Sequence, residues 1–403
     1  MRFAFALLLL AGVTACGHGL SGGYVAPPTG ANVAPIIVDG GPPSIAIGNI
    51  NLPFVSVTVC LPGTATCQLV DHVLLDTAST GLRIIASVLP ATFNMPPAAD
   101  TSGAPLWECL SFADGYSWGS IRTADVKIAN GMASNQSIHL IGDPAITTVP
   151  TDCINNSRTK LPENTVNSFG ANGVLGLNVF QYDCGAICAD PAKVIAAAYY
   201  GCPSAGSCAN SAASLSAQVQ NPVYNFAADN NGVAIVMSAI GAAGQVTATG
   251  SLILGINTQS NNMLGSAAVL SVDPVLGYFT TTYNGLALPD SFIDSGSNAL
   301  FFNDSTLTAC TTPAGFYCPA QQLTLQASNQ HAGGAISTVS FRVDNLETLS
   351  TNNASFNALP NIAGNNPLTL SFDWGLPFFY ARTVFVGFEN RSAAQSTGPF
   401  FAY

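Results

Sequence analysis

The chain has 403 residues, 48% of them apolar and only 8% charged, with ten Lys and Arg against twenty-one Asp and Glu. That length supplies two or three domains' worth of material and that apolar share fills large cores, which excludes a disordered chain. A formal charge of −11 with no basic run leaves no electrostatic footprint for a polyanion, so nucleic acid is excluded as a partner. With so few charges the surface is wetted by Ser, Thr, Asn, Gln and Gly, which suits antiparallel β structure with many turns.

At the N-terminus Arg2 precedes a short apolar run, Phe3 to Gly12, and Val13-Thr14-Ala15-Cys16 closes it. The run is too short to cross a membrane, so residues 1–16 read as a signal peptide resembling those of bacterial lipoproteins, with Cys16 as the lipidation site. Lipid on Cys16 makes the membrane a partner and tethers the chain in the cell envelope. Gly17 in the next position resembles the outer-membrane sorting pattern of such proteins. Residues 17–44, rich in Gly, Pro, Ala and Val, read as a tether in which Pro27-Pro28 and Pro42-Pro43 forbid regular helix.

Ten cysteines remain after Cys16, an even set in an oxidising compartment, and disulfides are the expected use. Cys60 with Cys67 and Cys310 with Cys318 are close enough to staple hairpins. The cluster Cys184, Cys188, Cys202 and Cys208 pairs within itself in an order the sequence leaves open, and Cys109 and Cys153 remain for each other. No Cys-x-x-Cys occurs and His18, His72, His139 and His331 are scattered, so no metal or other cofactor is expected.

Short strands begin near Ile45: Val55 to Val59 alternates, and a strand from Leu69 to Leu75 runs into Asp76-Thr77-Ala78-Ser79. Cys109 to Gly119 reads as a hairpin with its tip near Asp114 and a return strand through Ile128. Gly173 to Leu177 is a small apolar segment, Pro191 to Tyr200 a plausible helix, and Val223–Phe226, Val233–Val236 and Ser251–Leu254 candidate strands. A boundary near residue 248 divides an N-terminal lobe, 45–248, from a C-terminal lobe, 249–403. In the second lobe Phe292-Ile293 runs into Asp294-Ser295-Gly296-Ser297, an echo of the first motif.

Each motif places an acid after apolar residues and before two hydroxyls, delivering a carboxyl group to an interior turn. Burying a lone carboxylate is expensive, whereas two carboxyls face to face can share one proton. These loops, with Val174-Leu175-Gly176, Gly250 to Gly255, and Gly375-Leu376-Pro377-Phe378-Phe379 followed by Val384 to Phe388, resemble in order the anchors of the pepsin-like aspartic peptidases, and in particular an uncharacterised group of bacterial secreted lipoproteins related to them. The resemblance implies an all-β, two-lobed pepsin-like β-barrel fold with pseudo-two-fold symmetry and a few short helices. It implies Asp76 and Asp294 as a catalytic dyad acting on a peptide or protein substrate in the cleft between lobes. Thr77 and Ser295 would hold each loop to the opposite lobe, Ser79 and Ser297 would donate to the outer carboxylate oxygens, and Gly296 would let backbone approach closely. The flap would comprise Phe112, Gly115, Tyr116 and Trp118.

Three positions depart from that pattern. Ala78 replaces a glycine and would be strained at positive φ. Phe112 stands where the flap tyrosine belongs, leaving Tyr116 or Trp118 as substitute donors. Asp373, in Asp373-Trp374-Gly375, replaces an apolar residue and reads as an exposed turn acid, the alternative being a third carboxylate that disturbs the titration of the pair. These departures keep a second reading open, a catalytically inactive module that binds a peptide or glycan in the cleft. Gly115-Tyr116-Ser117-Trp118-Gly119 also fits the Gly-x-Ser-x-Gly pattern of serine hydrolases, but that motif needs a turn from strand into helix and the residues after it read as strand. His72 reads as packed or hydrated at a strand entrance.

Overall fold

The computed structural model describes residues 28–331, 336–393 and 396–403; within them strands dominate, and the longest of four α-helices is Leu346–Asn352. The expected signal peptide, Cys16 and the first part of the tether lie outside the described residues.

Strand β1 (Val33–Val38) buries Ala34, Ile36 and Val38 and turns Pro35 and Ile37 outward, a period of two that seats one face on the core. β2 (Pro53–Cys60) and β3 (Cys67–Asp76) form an antiparallel hairpin closed by the Cys60–Cys67 disulfide. β3 ends in the fully buried Val73 and Leu75, which carry Asp76 into the interior. β4 (Thr80–Ile85) is buried along its whole length. β5 (Leu106–Ser111), β6 (Tyr116–Ile128) and β7 (Gly131–Ile141) form the next meander, and β8 (Gly173–Leu177) returns beneath the first acid loop.

Fifteen strands form one sheet that passes from the N-terminal barrel through β2 and β1 into Ala248–Leu254, Gly232–Met237, Thr383–Gly387, Phe400–Ala402 and Val269–Ser271. Seven strands of the C-terminal half form a second sheet. The two lobes repeat one local topology. β8 lies parallel to β3 and antiparallel to β4, and Asp373–Trp374 lies parallel to Leu286–Ile293 and antiparallel to Leu300–Phe301. Register makes the equivalence specific: Val174 faces Leu74 and Arg83 in the first lobe, as Asp373 faces Phe292 and Phe301 in the second.

The second lobe fills its barrel with rings. Phe302, Phe372 and Trp374 stack in series, with centroid separations of 4.9 and 4.2 Å, and Phe341 meets Phe372 edge-on at 5.6 Å. Such pairs contribute roughly 0.5–1.5 kcal/mol each beyond area burial. The five disulfides are Cys60–Cys67, Cys109–Cys153, Cys184–Cys188, Cys202–Cys208 and Cys310–Cys318, so the open order within the cysteine cluster resolves to two short loops.

Three local expectations are corrected. Residues 33–38 are no tether: β1 bridges the lobes, paired with Ala248–Leu254 on one side and β2 on the other. Pro35 disguises the strand, since its missing N–H argues against a central position, yet it is outward-facing and opposite Ser251. Pro191 to Tyr200 is not helical; the helix is Ala186–Ala189, and Tyr199–Gly201 is a strand on β5. Adjacent aromatics there fill a sheet edge, and Ala197 at φ 57° breaks any helix. Val223–Asn225 is a 3₁₀ turn, started by Pro222 and by the Asn221 side chain, which accepts from the Val223 N–H.

Candidate active site

Asp76 and Asp294 leave the ends of β3 and Leu286–Ile293, and their loops interlock. Thr77 Oγ1 donates to the Ile293 carbonyl at 2.8 Å and accepts from the Ser295 N–H at 3.0 Å, while Ser295 Oγ donates to the Leu75 carbonyl at 2.6 Å. Both hydroxyls are buried, so each bond substitutes for water that is absent and ties one lobe to the other.

The interlock brings the two acids, 218 residues apart, together at the lobe junction, with Oδ1 of both Asp76 and Asp294 beside Gly296. Their inner oxygens are held by backbone: the Ala78 N–H donates to Asp76 Oδ1 and the Gly296 N–H to Asp294 Oδ1, both at 2.8 Å. Their outer oxygens are held by hydroxyls, Ser79 Oγ to Asp76 Oδ2 and Ser297 Oγ to Asp294 Oδ2 at 2.7 Å. A methyl group at Gly296 would sit 3.1 Å from Asp76 Oδ1 and 3.2 Å from Asp294 Oδ1, so glycine there permits the close approach. Burial, followed by the Asp76 charge and Asp373, holds the Asp294 carboxyl well above the usual carboxylate range. Burial and the neighbouring Asp76 charge thus favour the protonated form of Asp294.

Asp373 is not an exposed turn acid. It is only 6% exposed, and Ser297 Oγ lies 2.7 Å from Asp373 Oδ2 as well as from Asp294 Oδ2. Burial, opposed by the Ser297 hydrogen bond and reinforced by the Asp76 charge, holds it well above the usual range. Periodicity gave no warning, because an acid beside Trp374 and Gly375 has the composition of a turn; only the register of Asp373–Trp374 against Leu286–Ile293 puts it inside.

Ala78 is exposed and is not among the residues with positive φ, so the strain expected of its methyl group is absent. The flap hairpin forms as β5 and β6, with the Phe112 N–H bonded to the Gly115 carbonyl at its tip. Phe112 packs edge-on against Phe169 at 5.4 Å. A Cβ at Gly115 would lie 2.5 Å from the Glu163 side chain, so a larger residue there has to displace that carboxyl arm. Trp118 does not serve as a substitute donor: it is buried between Trp107 and Tyr200 and gives its Nε1–H to the Ile146 carbonyl. Tyr116 is buried in the same cluster. Ser117 is fully buried near the start of β6, with strand and not helix after it, so the serine-hydrolase pattern is incidental. His72 is not at a strand entrance: it lies within β3, at a φ of 46° where the pairing with β2 shifts register, with its Nε2 3.3 Å from Asp39. Cys310, Cys318 and Glu347 lie close enough together to suggest a cation site, but both sulfurs are spent in a disulfide.

One cluster next to the site escaped sequence reading. Arg83, fully buried on β4, donates to Glu108 at 2.7 Å, to Asp183 at 3.1 Å and to the Thr80 carbonyl at 2.6 Å, and Tyr199 donates its hydroxyl to Asp183. His139 Nδ1 is 2.9 Å from Glu108. Burial opposes the Glu108 charge, but Arg83 outweighs it and holds that carboxyl below the usual range. Burial and the Glu108 charge push Asp183 up, so one proton and one charge divide between the two acids.

Two interlocked acid loops at the junction of two β lobes give the chain a pepsin-like fold. Among solved structures the chain is similar to the aspartic proteinase from Irpex lacteus, with a TM-score of 0.53 at 13% identity over 92% of this chain and 96% of that one, a likeness of fold alone. The chain belongs to the family described as "Protein of unknown function (DUF3443)", whose model matches residues 28–403. No curated protein matches the sequence.

Proposed function

We propose that the protein is an envelope-anchored aspartic-type endopeptidase in which Asp76 and Asp294 activate water against a peptide bond bound between the lobes. One observation carries this reading: the interlocked loops bring the two acids together beside Gly296, with every carboxyl oxygen oriented by its own loop. The carboxylate of the pair takes a proton from water as the water oxygen bonds to the scissile carbonyl carbon. The carboxylic acid gives its proton to the carbonyl oxygen, and a proton returned to the amide nitrogen lets the C–N bond break.

General acid–base catalysis of this kind is worth about 10²–10⁴-fold, so Asp76→Asn and Asp294→Asn each lower kcat/KM by at least about 10²-fold. The measurement is cleavage of a mixed peptide library from about pH 3 to 7 by protein lacking residues 1–16. Cleavage indifferent to both variants removes the pair from the reaction. The anchor belongs to the same proposal: an acylated Cys16, detected by mass spectrometry in the membrane fraction, supports it, and an unmodified, released chain refutes it.

The second reading, an inactive module that binds a peptide or glycan in the cleft, is favoured by Phe112 and Trp118, of which one lacks a hydroxyl and the other has its donor committed to Ile146. Saturable binding of an intact peptide, undiminished by Asp294→Asn and without cleavage at any pH, selects it.

A further inference from the structure

The contacts of Ser297 pose a counting problem. Its Oγ lies 2.7 Å from an oxygen of Asp294 and 2.7 Å from an oxygen of Asp373, yet a hydroxyl carries one hydrogen. If both carboxyls were ionised, one of these two contacts would set lone pair against lone pair. The first lobe has no such conflict, because Val174 occupies the position of Asp373 and Ser79 serves Asp76 alone. Around Asp373 the charged neighbours are Asp76 at the end of β3 and Asp294 on its own loop. Its strand partners are Phe292 and Phe301, and no Lys, Arg or His among the described residues forms an ion pair with any of the three acids.

We infer that Asp373 is a positioning residue that stays protonated and donates to Ser297 Oγ, which sends Ser297's only hydrogen to Asp294 Oδ2. The chain of donors runs Asp373 to Ser297 to Asp294 and leaves Asp294 Oδ1, beside Gly296, free to share the proton with Asp76. The site then holds two protons on three carboxyls. When Asp373 ionises, Ser297 faces two anionic acceptors, the outer oxygen of Asp294 loses its fixed donor, and the pair loses its alignment. No group is consumed; the proton only changes the direction of one hydroxyl. The catalytic part of this inference rests on the peptidase reading, whereas the protonation part does not.

Two measurements on the full chain, purified in detergent, test it. Asp373→Asn places a permanent amide donor beside Ser297, and Asp373→Val copies the residue of the first lobe. In denaturant unfolding, a proton held by folded Asp373 but released by the unfolded chain makes the wild-type unfolding constant rise relative to that of Asp373→Asn by about tenfold per pH unit above pH 4. A ratio that does not change with pH overturns the inference, whatever the protein hydrolyses. In peptide cleavage, Asp373→Asn retains turnover and carries its alkaline limb to higher pH, while Asp373→Val loses about tenfold in kcat with KM little changed. An alkaline limb that stays in place in Asp373→Asn, or wild-type kcat in Asp373→Val, refutes the positioning role. Absence of cleavage by the wild type refutes the peptidase reading, and the unfolding ratio still decides the proton.

Discussion

Thr77 concentrates in one side chain what holds the candidate site together. Its hydroxyl donates to Ile293 and accepts from Ser295, so both halves of the loop pair depend on an atom that valine lacks at nearly equal volume. Thr77→Val leaves a buried carbonyl and a buried N–H without partners, and at roughly 1–3 kcal/mol for each such group the expected loss of stability is about 2–6 kcal/mol in denaturant unfolding. A loss under about 0.5 kcal/mol would mean that water or a shifted loop replaces both bonds. Ala78 teaches the opposite lesson, that a departure from a motif matters only through the backbone angle it must adopt; its φ is ordinary and its methyl group faces outward.

β4 shows how an element outside the acid loops supports them. It begins directly after the Asp76 loop, and Arg83 in its middle is fixed by Glu108 on β5, by Asp183 and by the carbonyl of Thr80. Removing one partner of a buried charge cluster strands the others, so Arg83→Met is expected to lower stability by about 3–5 kcal/mol, read from denaturant unfolding at neutral pH. The loss should shrink below pH 4, where Glu108 takes up a proton once Arg83 no longer holds its carboxyl down. A loss that is the same at both pH values would mean that packing, not charge, dominates the cluster.

Across the whole molecule, buried titratable groups set opposing pH trends. Asp294 and Asp373, raised chiefly by burial, and Glu163, pushed up to about 8 by burial and the Asp114 charge, bind protons more tightly folded than unfolded, so their contribution is lost as pH rises above the ordinary carboxylate range. Buried His139, lowered by burial, and Asp143, lowered by its bonds to Ser120 and Arg122 against burial, act in the other direction and lose their contribution as pH falls through their unfolded values. The expected profile of unfolding free energy peaks at weakly acidic pH, near about 4–5, and declines toward pH 8. Denaturant unfolding at intervals of one pH unit checks this, and a maximum at or above pH 7 contradicts it.

What could be read from the chain alone followed from local rules. Strand alternation, the hairpin at Asp114, the short disulfide loops Cys60–Cys67 and Cys310–Cys318 and the two acid-hydroxyl loops are each set by neighbours within about ten positions, where turn chemistry and side-chain period act directly. What escaped is non-local. β1 passed for a tether because its longest pairing is with Ala248–Leu254, more than two hundred residues away, and the Arg83 cluster stayed hidden because its acids sit at positions 108 and 183. Asp373 changed from a surface acid to a buried one for the same reason. The sequence by itself determined which side chains were available as acids, hydroxyl donors and sulfurs. The tertiary structure alone decided which of them meet, because burial and hydrogen-bond distance are properties of strand register between segments that share no local signal.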